Sequence, residues 1–366
     1  MSARAVADAI AAVGLPGAAA LPAQPLADAE FRDTFALLTG ERMLPALALA
    51  VDSGALPATD EQRAAIAVGH EQAMRLCVML EHALPAVTAR LERAGVDARL
   101  LKGPAVARLD YPDPSQRAFG DLDLLVPSAM WDAAIEALVT TGSARRYPEV
   151  RPGFDRTFGK GACLVEPDGT ELDLHRTFVA GPFGLTIPLD ELFRESEPVE
   201  IGGREYRALI REHRFIHACY HAALGDPVPR LAALRDIAQI ALTTPLDVQQ
   251  TIAVSREWRA DAVVAHAVKL TWVRLGLQRA PLSEWAFSHR PDAYQTRSLR
   301  AYRGESRSYA TQAVAGLRAV HGVPAKWRYA RTLLVPDREY VAGHDGTYLR
   351  RMRRAFQARA VARADQ

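Results

Sequence analysis

The chain has 366 residues, 49% hydrophobic and 24% charged, with a net charge of +2. This length and balance fit a globular protein of two or three domains, or one core with helical additions. They exclude a largely disordered chain and a polyanion binder that works through bulk charge. Three widely spaced cysteines, Cys77, Cys163 and Cys219, exclude a disulfide framework and any CxxC metal site, and a reducing cytoplasm is the expected location.

The alanine-rich start imitates a signal peptide, but Asp8 interrupts the apolar stretch and Arg4 is the lone basic residue before it. Val6, Ile10 and Val13 instead have the spacing of a short amphipathic helix. No apolar run is long enough to span a bilayer, so no membrane partner is expected. From about 27 to 94 the pattern is helical, with a break at 54–57. Within 71–93, Met74, Leu76, Cys77, Leu80, Leu84, Val87 and Leu91 recur at three-to-four spacing, which predicts a long helix with one buried face.

The character then changes. A short extended run over 97–101 ends in Lys102-Gly103-Pro104, and Pro104 suits the first position of a short helix reaching about Leu109. Tyr111-Pro112-Asp113-Pro114-Ser115 is a turn-rich loop. Residues 121–126 read as a strand, and Ser128 as the cap of a helix to about Thr141. Extended pieces are predicted over 145–150, 157–158, 163–166 and 170–175. A hairpin is predicted over 200–207 around Gly202-Gly203. Helices are predicted over 212–224, 230–242, 247–258 and 261–275, and others to the end. The organisation expected is α+β: a helical region over 1–94, a small mixed-sheet core over 95–208, and a second helical region over 209–366.

In Gly120-Asp121-Leu122-Asp123-Leu124-Leu125-Val126, strand alternation sends Asp121 and Asp123 to one face and Leu122 and Leu124 to the other. The two carboxylates then stand about 6–7 Å apart at their Cα atoms. Like charges so placed need a compensating cation, a proton or open solvent. Thr170-Glu171-Leu172-Asp173-Leu174-His175 repeats the alternation, with Glu171, Asp173 and His175 on one face. If the two strands are neighbours, three or four carboxylates converge. Such a set of oxygen ligands suits Mg²⁺ or Mn²⁺, and two ions about 3.5–4 Å apart hold a phosphoryl group for in-line displacement. An isolated DxD is more often the polar face of a strand, so the surrounding residues decide the reading.

Those surroundings carry a resemblance. Leu101-Lys102-Gly103, then Tyr111-Pro112-Asp113-Pro114, Arg117 and Gly120-Asp121-Leu122-Asp123, resemble the signature of an uncharacterised bacterial nucleotidyltransferase family within the DNA polymerase β-like superfamily. Leu172-Asp173-Leu174-His175 resembles its later acidic strand. His217, His221 and Arg235-Asp236-Ile237 resemble its helical region. Trp327, Arg331, Leu334, Pro336, Tyr348 and Arg351 resemble its C-terminal pattern.

The resemblance implies that Asp121, Asp123 and Asp173 are catalytic and hold two Mg²⁺ or Mn²⁺ ions. It implies that Gly103 lets backbone N–H groups approach the β- and γ-phosphates of an NTP. The wider superfamily has a glycine-serine pair where this chain has Gly103-Pro104. Lys102 or Arg117 is then expected to supply phosphate charge, with Gly120 and His175 completing the nucleotide site. The implied reaction moves a nucleoside monophosphate to an acceptor hydroxyl on a small molecule, peptide or protein. The alternatives are a toxin-like enzyme acting on tRNA or a host protein, and a non-catalytic nucleotide-binding module.

His213, His217 and His221 share a helical face but lack the companions of a zinc site, so structural roles are expected. His221 and Asp236 are expected to be near each other across a helix pair. Lys102 is one of only four lysines in an arginine-rich chain, which draws attention to it. The last seventy residues hold about fifteen basic residues against about five acids. That excess includes Arg350, Arg351, Arg353, Arg354, Arg359 and Arg363, and without an aromatic stacking pattern it does not indicate a nucleic-acid partner.

Overall fold

The structure, a computed structural model, describes residues 2–303 and 308–342, together with Thr347 and Arg350. Four helices open the chain: α1 (Ala3–Ala11), α2 (Asp28–Gly40), α3 (Leu44–Asp52) and α4 (Asp60–Arg93). The central part then runs β1 (Arg99–Leu100), α5 (Pro104–Leu109), β2 (Leu122–Leu125), α6 (Trp131–Val139), β3 (Ala144–Arg145), α7 (Phe154–Thr157), β4 (Gly161–Val165), β5 (Glu171–His175), β6 (Glu197–Ile201) and β7 (Arg204–Ala208). After it come α8 (Arg211–Tyr220), α9 (Leu231–Thr243), α10 (Val248–Glu257), α11 (Asp261–Arg274), α12 (Pro281–Ser288), α13 (Ala293–Arg300), α14 (Tyr309–Ala319), α15 (Val323–Leu334) and α16 (Arg338–Tyr340).

The class is α+β, as expected. One seven-stranded mixed sheet has the order β3-β4-β5-β2-β1-β7-β6. The two strands at its centre, β2 and β5, are parallel and pair Leu122 with Leu172, Asp123 with Asp173 and Leu124 with Leu174. Leu122, Leu124, Leu172 and Leu174 are therefore on one face. There they join Leu84, Val87 and Leu91 of α4 and Trp131 and Leu138 of α6 in one hydrophobic cluster. Each fully buried leucine stabilises the sheet by about 1.5–3 kcal/mol. A one-residue slip would exchange these side chains for carboxylates, so the apolar face fixes the register.

α4 covers that face because its apolar residues recur at helical spacing over 34 residues. It starts earlier than the predicted 71. Thr59 accepts from the Gln62 N–H while the Gln62 side chain accepts from the Thr59 N–H, a capping box that begins the helix at Asp60.

The opposite sheet face looks toward a second hydrophobic cluster. Leu125, on the same side as Asp123, belongs to it with Phe178, Phe215, Leu234, Val263 and residues of α1 and α3. The N-terminal helices and the helices after the sheet thus share one core. The carboxylates lie where the sheet meets that bundle.

Several predicted spans change. The 157–158 segment is not extended: Phe154–Thr157 forms a helical turn whose Phe154 and Phe158 pack on Tyr329 of α15. The 145–150 strand shrinks to Ala144–Arg145, and the hairpin lengthens on both sides of Gly202-Gly203. The helix predicted over 212–224 changes to a π-turn at His221–Gly225. Arg331 of the C-terminal pattern places its guanidinium over Trp327. Tyr348, Arg351 and the basic run beyond Arg350 lie outside the described residues.

One buried ion pair ties α5 to the rest. Arg214 of α8 donates from Nε and Nη2 to the two oxygens of Asp110, both at 2.9 Å, and from Nη1 to the Leu209 carbonyl. Both side chains are inaccessible to solvent. Arg214 Nη1 also pairs with Glu197 at 2.5 Å, but loss of Asp110 leaves the Nε and Nη2 donors unpaired in the interior, at a cost of about 3–5 kcal/mol. Asp110→Ala is expected to lower the unfolding free energy by about that amount in urea denaturation; an unchanged midpoint contradicts the role given to the pair.

Candidate metal and nucleotide site

Register brings the acidic residues together. Asp123 and Asp173 are direct neighbours across β2 and β5, and His175 follows on the same face. Ligand atoms of Asp123, Asp173 and His175 lie within 4.8 Å of one another. Asp121 sits just before β2, outside that group, and Glu171 is further out, paired with Arg146. Of the convergence expected from the sequence, the structure assembles two aspartates and a histidine most closely, with a third aspartate at the edge.

Asp123 is the buried centre. Burial pushes its carboxyl pKa up, but the Lys102 charge and the His175 hydrogen bond overturn that and hold it far below the usual carboxylate range. His175 Nε2 is 2.8 Å from Asp123 Oδ1. Burial, with the Lys160 charge, holds the His175 pKa below its ordinary value despite that bond, so the ring is neutral and donates from Nε2. One buried atom of this pair then has no hydrogen-bond partner, His175 Nδ1, while Asp123 Oδ2 is met by Lys102 Nζ at 3.2 Å. Two carboxylates and an open ring nitrogen converging within 4.8 Å are a donor set that fits a divalent cation, which would compete with Lys102 for Asp123.

Lys102 stands between the first two aspartates, its Nζ 3.2 Å from Asp123 Oδ2 and 3.6 Å from Asp121 Oδ2. Burial would lower its pKa, and the two carboxylates more than reverse that, so the ammonium stays protonated. Lys102 thus supplies the compensating cation that the repeated DxD pattern demands.

The turn that carries Lys102 is braced from outside. Gly103 has φ +61°, a conformation open to glycine and strained for other residues. Its carbonyl accepts from Arg117 Nη1 at 2.9 Å, while Arg117 Nε and Nη2 make a bidentate pair with Asp236 of α9 at 2.8 and 2.7 Å. Tyr111 donates to the same Asp236 carboxylate. Asp236 therefore meets Tyr111 and Arg117 rather than the expected His221. The Arg117 fork, expected on phosphate, is used to hold the Gly103 turn against α9. Pro104 has no N–H, and the Ala105 N–H bonds the Lys102 carbonyl, so this turn offers few backbone donors. Gly120 lies under the Arg42 guanidinium, where a Cβ would meet Nη2 at 3.0 Å.

Close approach shapes the other side as well. A Cβ on Gly161 would stand 2.2 Å from the Leu174 carbonyl oxygen, so only glycine permits β4 to approach β5 there. Cys163 is opposite Asp173, and burial with the Asp173 charge pushes its thiol up to about 11, so it is no thiolate nucleophile. His213 packs against Trp258 and His217 against Phe178. Among the described residues, the helical histidines form no metal group.

Two contributors escape the motif. Lys160 adds positive field at Asp123 and His175 from the loop before β4. Arg42, between α2 and α3, places Nη1 3.9 Å from Asp121 Oδ1. Neither belongs to a recognisable pattern in its own part of the chain.

The chain belongs to a family described as uncharacterised nucleotidyltransferase, whose sequence profile matches residues 28–276. No curated protein and no solved structure matches the chain. Among the described residues, no helix is long and apolar enough to cross a membrane.

Two outcomes follow from the charges. A cation that takes both Asp121 and Asp123 must displace Lys102, so Lys102→Met is expected to bind Mn²⁺ about 10-fold more tightly in calorimetry without nucleotide; weaker binding contradicts that competition. Burial holds His213 down at about 4 from 6.5. Its contribution to stability is complete above the unfolded value and is lost as pH falls toward the folded one. The melting temperature is expected to decline between about pH 6.5 and 4, with a shallower slope in His213→Phe; equal slopes contradict the assignment.

Proposed function

We propose that this protein transfers a nucleoside monophosphate from an NTP to a hydroxyl of a small molecule, peptide or protein, releasing pyrophosphate. The observation that carries the reading is the in-register pairing of Asp123 with Asp173 across parallel strands, with His175 on Asp123 and Lys102 beside it. Among the described residues, no other set of His, Cys, Asp or Glu side chains converges closely enough to hold a metal ion.

Asp121, Asp123 and Asp173 are the residues that would hold two Mg²⁺ or Mn²⁺ ions. When bound, such ions lower the acceptor hydroxyl's pKa and offset charge on the departing pyrophosphate. His175 keeps Asp123 oriented and ionised. Asp173, half-buried on β5, across β2 from the β1 strand that leads to Lys102, suits the acceptor half of the site. Lys102, once released from the carboxylates, has the charge and reach to meet phosphate oxygens. Arg117 acts through Gly103 and is a positioning residue.

The test is direct. Purified protein with Mg²⁺ and each α-labelled NTP, offered a panel of hydroxyl-bearing acceptors, is expected to release pyrophosphate and label one acceptor class. Asp123→Asn is expected to reduce the rate at least about 1,000-fold and to abolish Mn²⁺ binding by electron paramagnetic resonance. Full activity or undiminished Mn²⁺ binding in Asp123→Asn contradicts the reading.

A further inference from the structure

We infer that Arg42, from the N-terminal helices, binds the phosphates of the leaving pyrophosphate. This rests on the reading of the aspartate cleft as a nucleotidyl-transfer site and adds to it a residue that no motif marks.

Arg42 follows α2 at a helix-ending position with φ +58°. The Met43 N–H reaches back to the Leu38 carbonyl at 2.8 Å, closing the turn. Glycine is the preferred residue there, and a side chain in this conformation costs about 1 kcal/mol or more. Strain alone assigns nothing, because Arg259 has the same backbone sign, φ +53°, after α10. What sets Arg42 apart is where its side chain goes.

The guanidinium lies over Gly120, the residue before Asp121. A Cβ on Gly120 would be 3.0 Å from Nη2, 3.1 Å from Cζ and 3.3 Å from Nη1. Nη1 is 3.9 Å from Asp121 Oδ1, an ion pair too long to be a hydrogen bond. The side chain is 41% exposed between the buried residues Glu41 and Met43. Its base is fixed: buried Glu41 accepts from Arg4 Nη1 at 2.9 Å and from the Leu231 N–H at the start of α9 at 2.8 Å. A guanidinium is thus anchored at its root, lies against Gly120 and stays partly exposed beside Asp121.

The charge layout says which ligand portion it faces. Lys102 and Arg42 both reach Asp121, and Lys102 follows β1 on one flank of β2, whereas Asp173 and Cys163 are on β5 and β4 on the other flank. The more anionic half of a bound triphosphate is matched by the Asp121 end, which Lys102 and Arg42 both reach, whereas the Lys160 charge acts on Asp123 and His175. The alternatives for that task are used elsewhere: Arg117 is bonded to Asp236 and Gly103, and the Gly103–Pro104 turn offers few N–H donors. A planar fork is suited to bidentate phosphate contact, which a lysine does not reproduce.

The experiment uses the full chain with Mn²⁺ and inorganic pyrophosphate, with calorimetry for affinity and thermal melting for integrity. Arg42→Ala is expected to weaken pyrophosphate binding about 10- to 100-fold, with Arg42→Lys recovering part of it. Arg42→Gly is expected to weaken binding equally while melting at or above the wild-type temperature, since it removes the strained side chain. Wild-type pyrophosphate affinity in Arg42→Ala, alongside loss of binding in Asp123→Asn, overturns the role of Arg42 and leaves the transfer reading standing. Failure of the wild-type protein to bind pyrophosphate at all overturns both.

Discussion

Parallel pairing of β2 with β5 is the constraint from which the site follows. Because side chains alternate along each strand, the register that sends Leu122, Leu124, Leu172 and Leu174 into one core also aligns Asp123 with Asp173 on the reverse face. The favourable burial of four leucines stabilises the unfavourable approach of two carboxylates. Neither set can shift without the other, so the hydrophobic core beneath α4 and α6 sets the acidic geometry above it.

That geometry needs balancing charge. A buried carboxylate beside two others is costly until cations neutralise it. Lys102 and the neutral His175 ring share the task at Asp123, one through charge and one through a hydrogen bond. The arrangement leaves His175 Nδ1 open and one Asp123 oxygen held only by the displaceable Lys102 ammonium. It is therefore complete enough to fold and incomplete enough to receive a cation. The bracing of the Gly103 turn through Arg117 and Asp236 ties this balance to α9, and Glu41 ties the α2–α3 junction to the same helix.

The alternation of Asp and Leu made the acidic face legible from sequence, and the Lys-Gly framework made the family legible. Period-three-to-four apolar spacing revealed α4, and the Gly202-Gly203 pair revealed the hairpin. Roles that depend on three-dimensional partners were not legible. Arg117 looked free until Asp236, more than a hundred residues later, filled its fork. Thr157–Phe158 looked extended because the Phe158 ring serves a contact with Tyr329, far along the chain. Arg42 left no local trace, since its position comes from a helix-ending turn and its meaning from Gly120 and Asp121.

The central claim is that the paired aspartates hold the divalent ions that act on a bound NTP. A crystal structure with Mn²⁺ and a non-hydrolysable NTP tests it most directly, read by anomalous scattering. The account predicts Mn²⁺ peaks bounded by Asp121, Asp123 and Asp173, with the triphosphate running toward Lys102 and Arg42. Mn²⁺ peaks elsewhere, or a triphosphate bound away from these carboxylates, would contradict it.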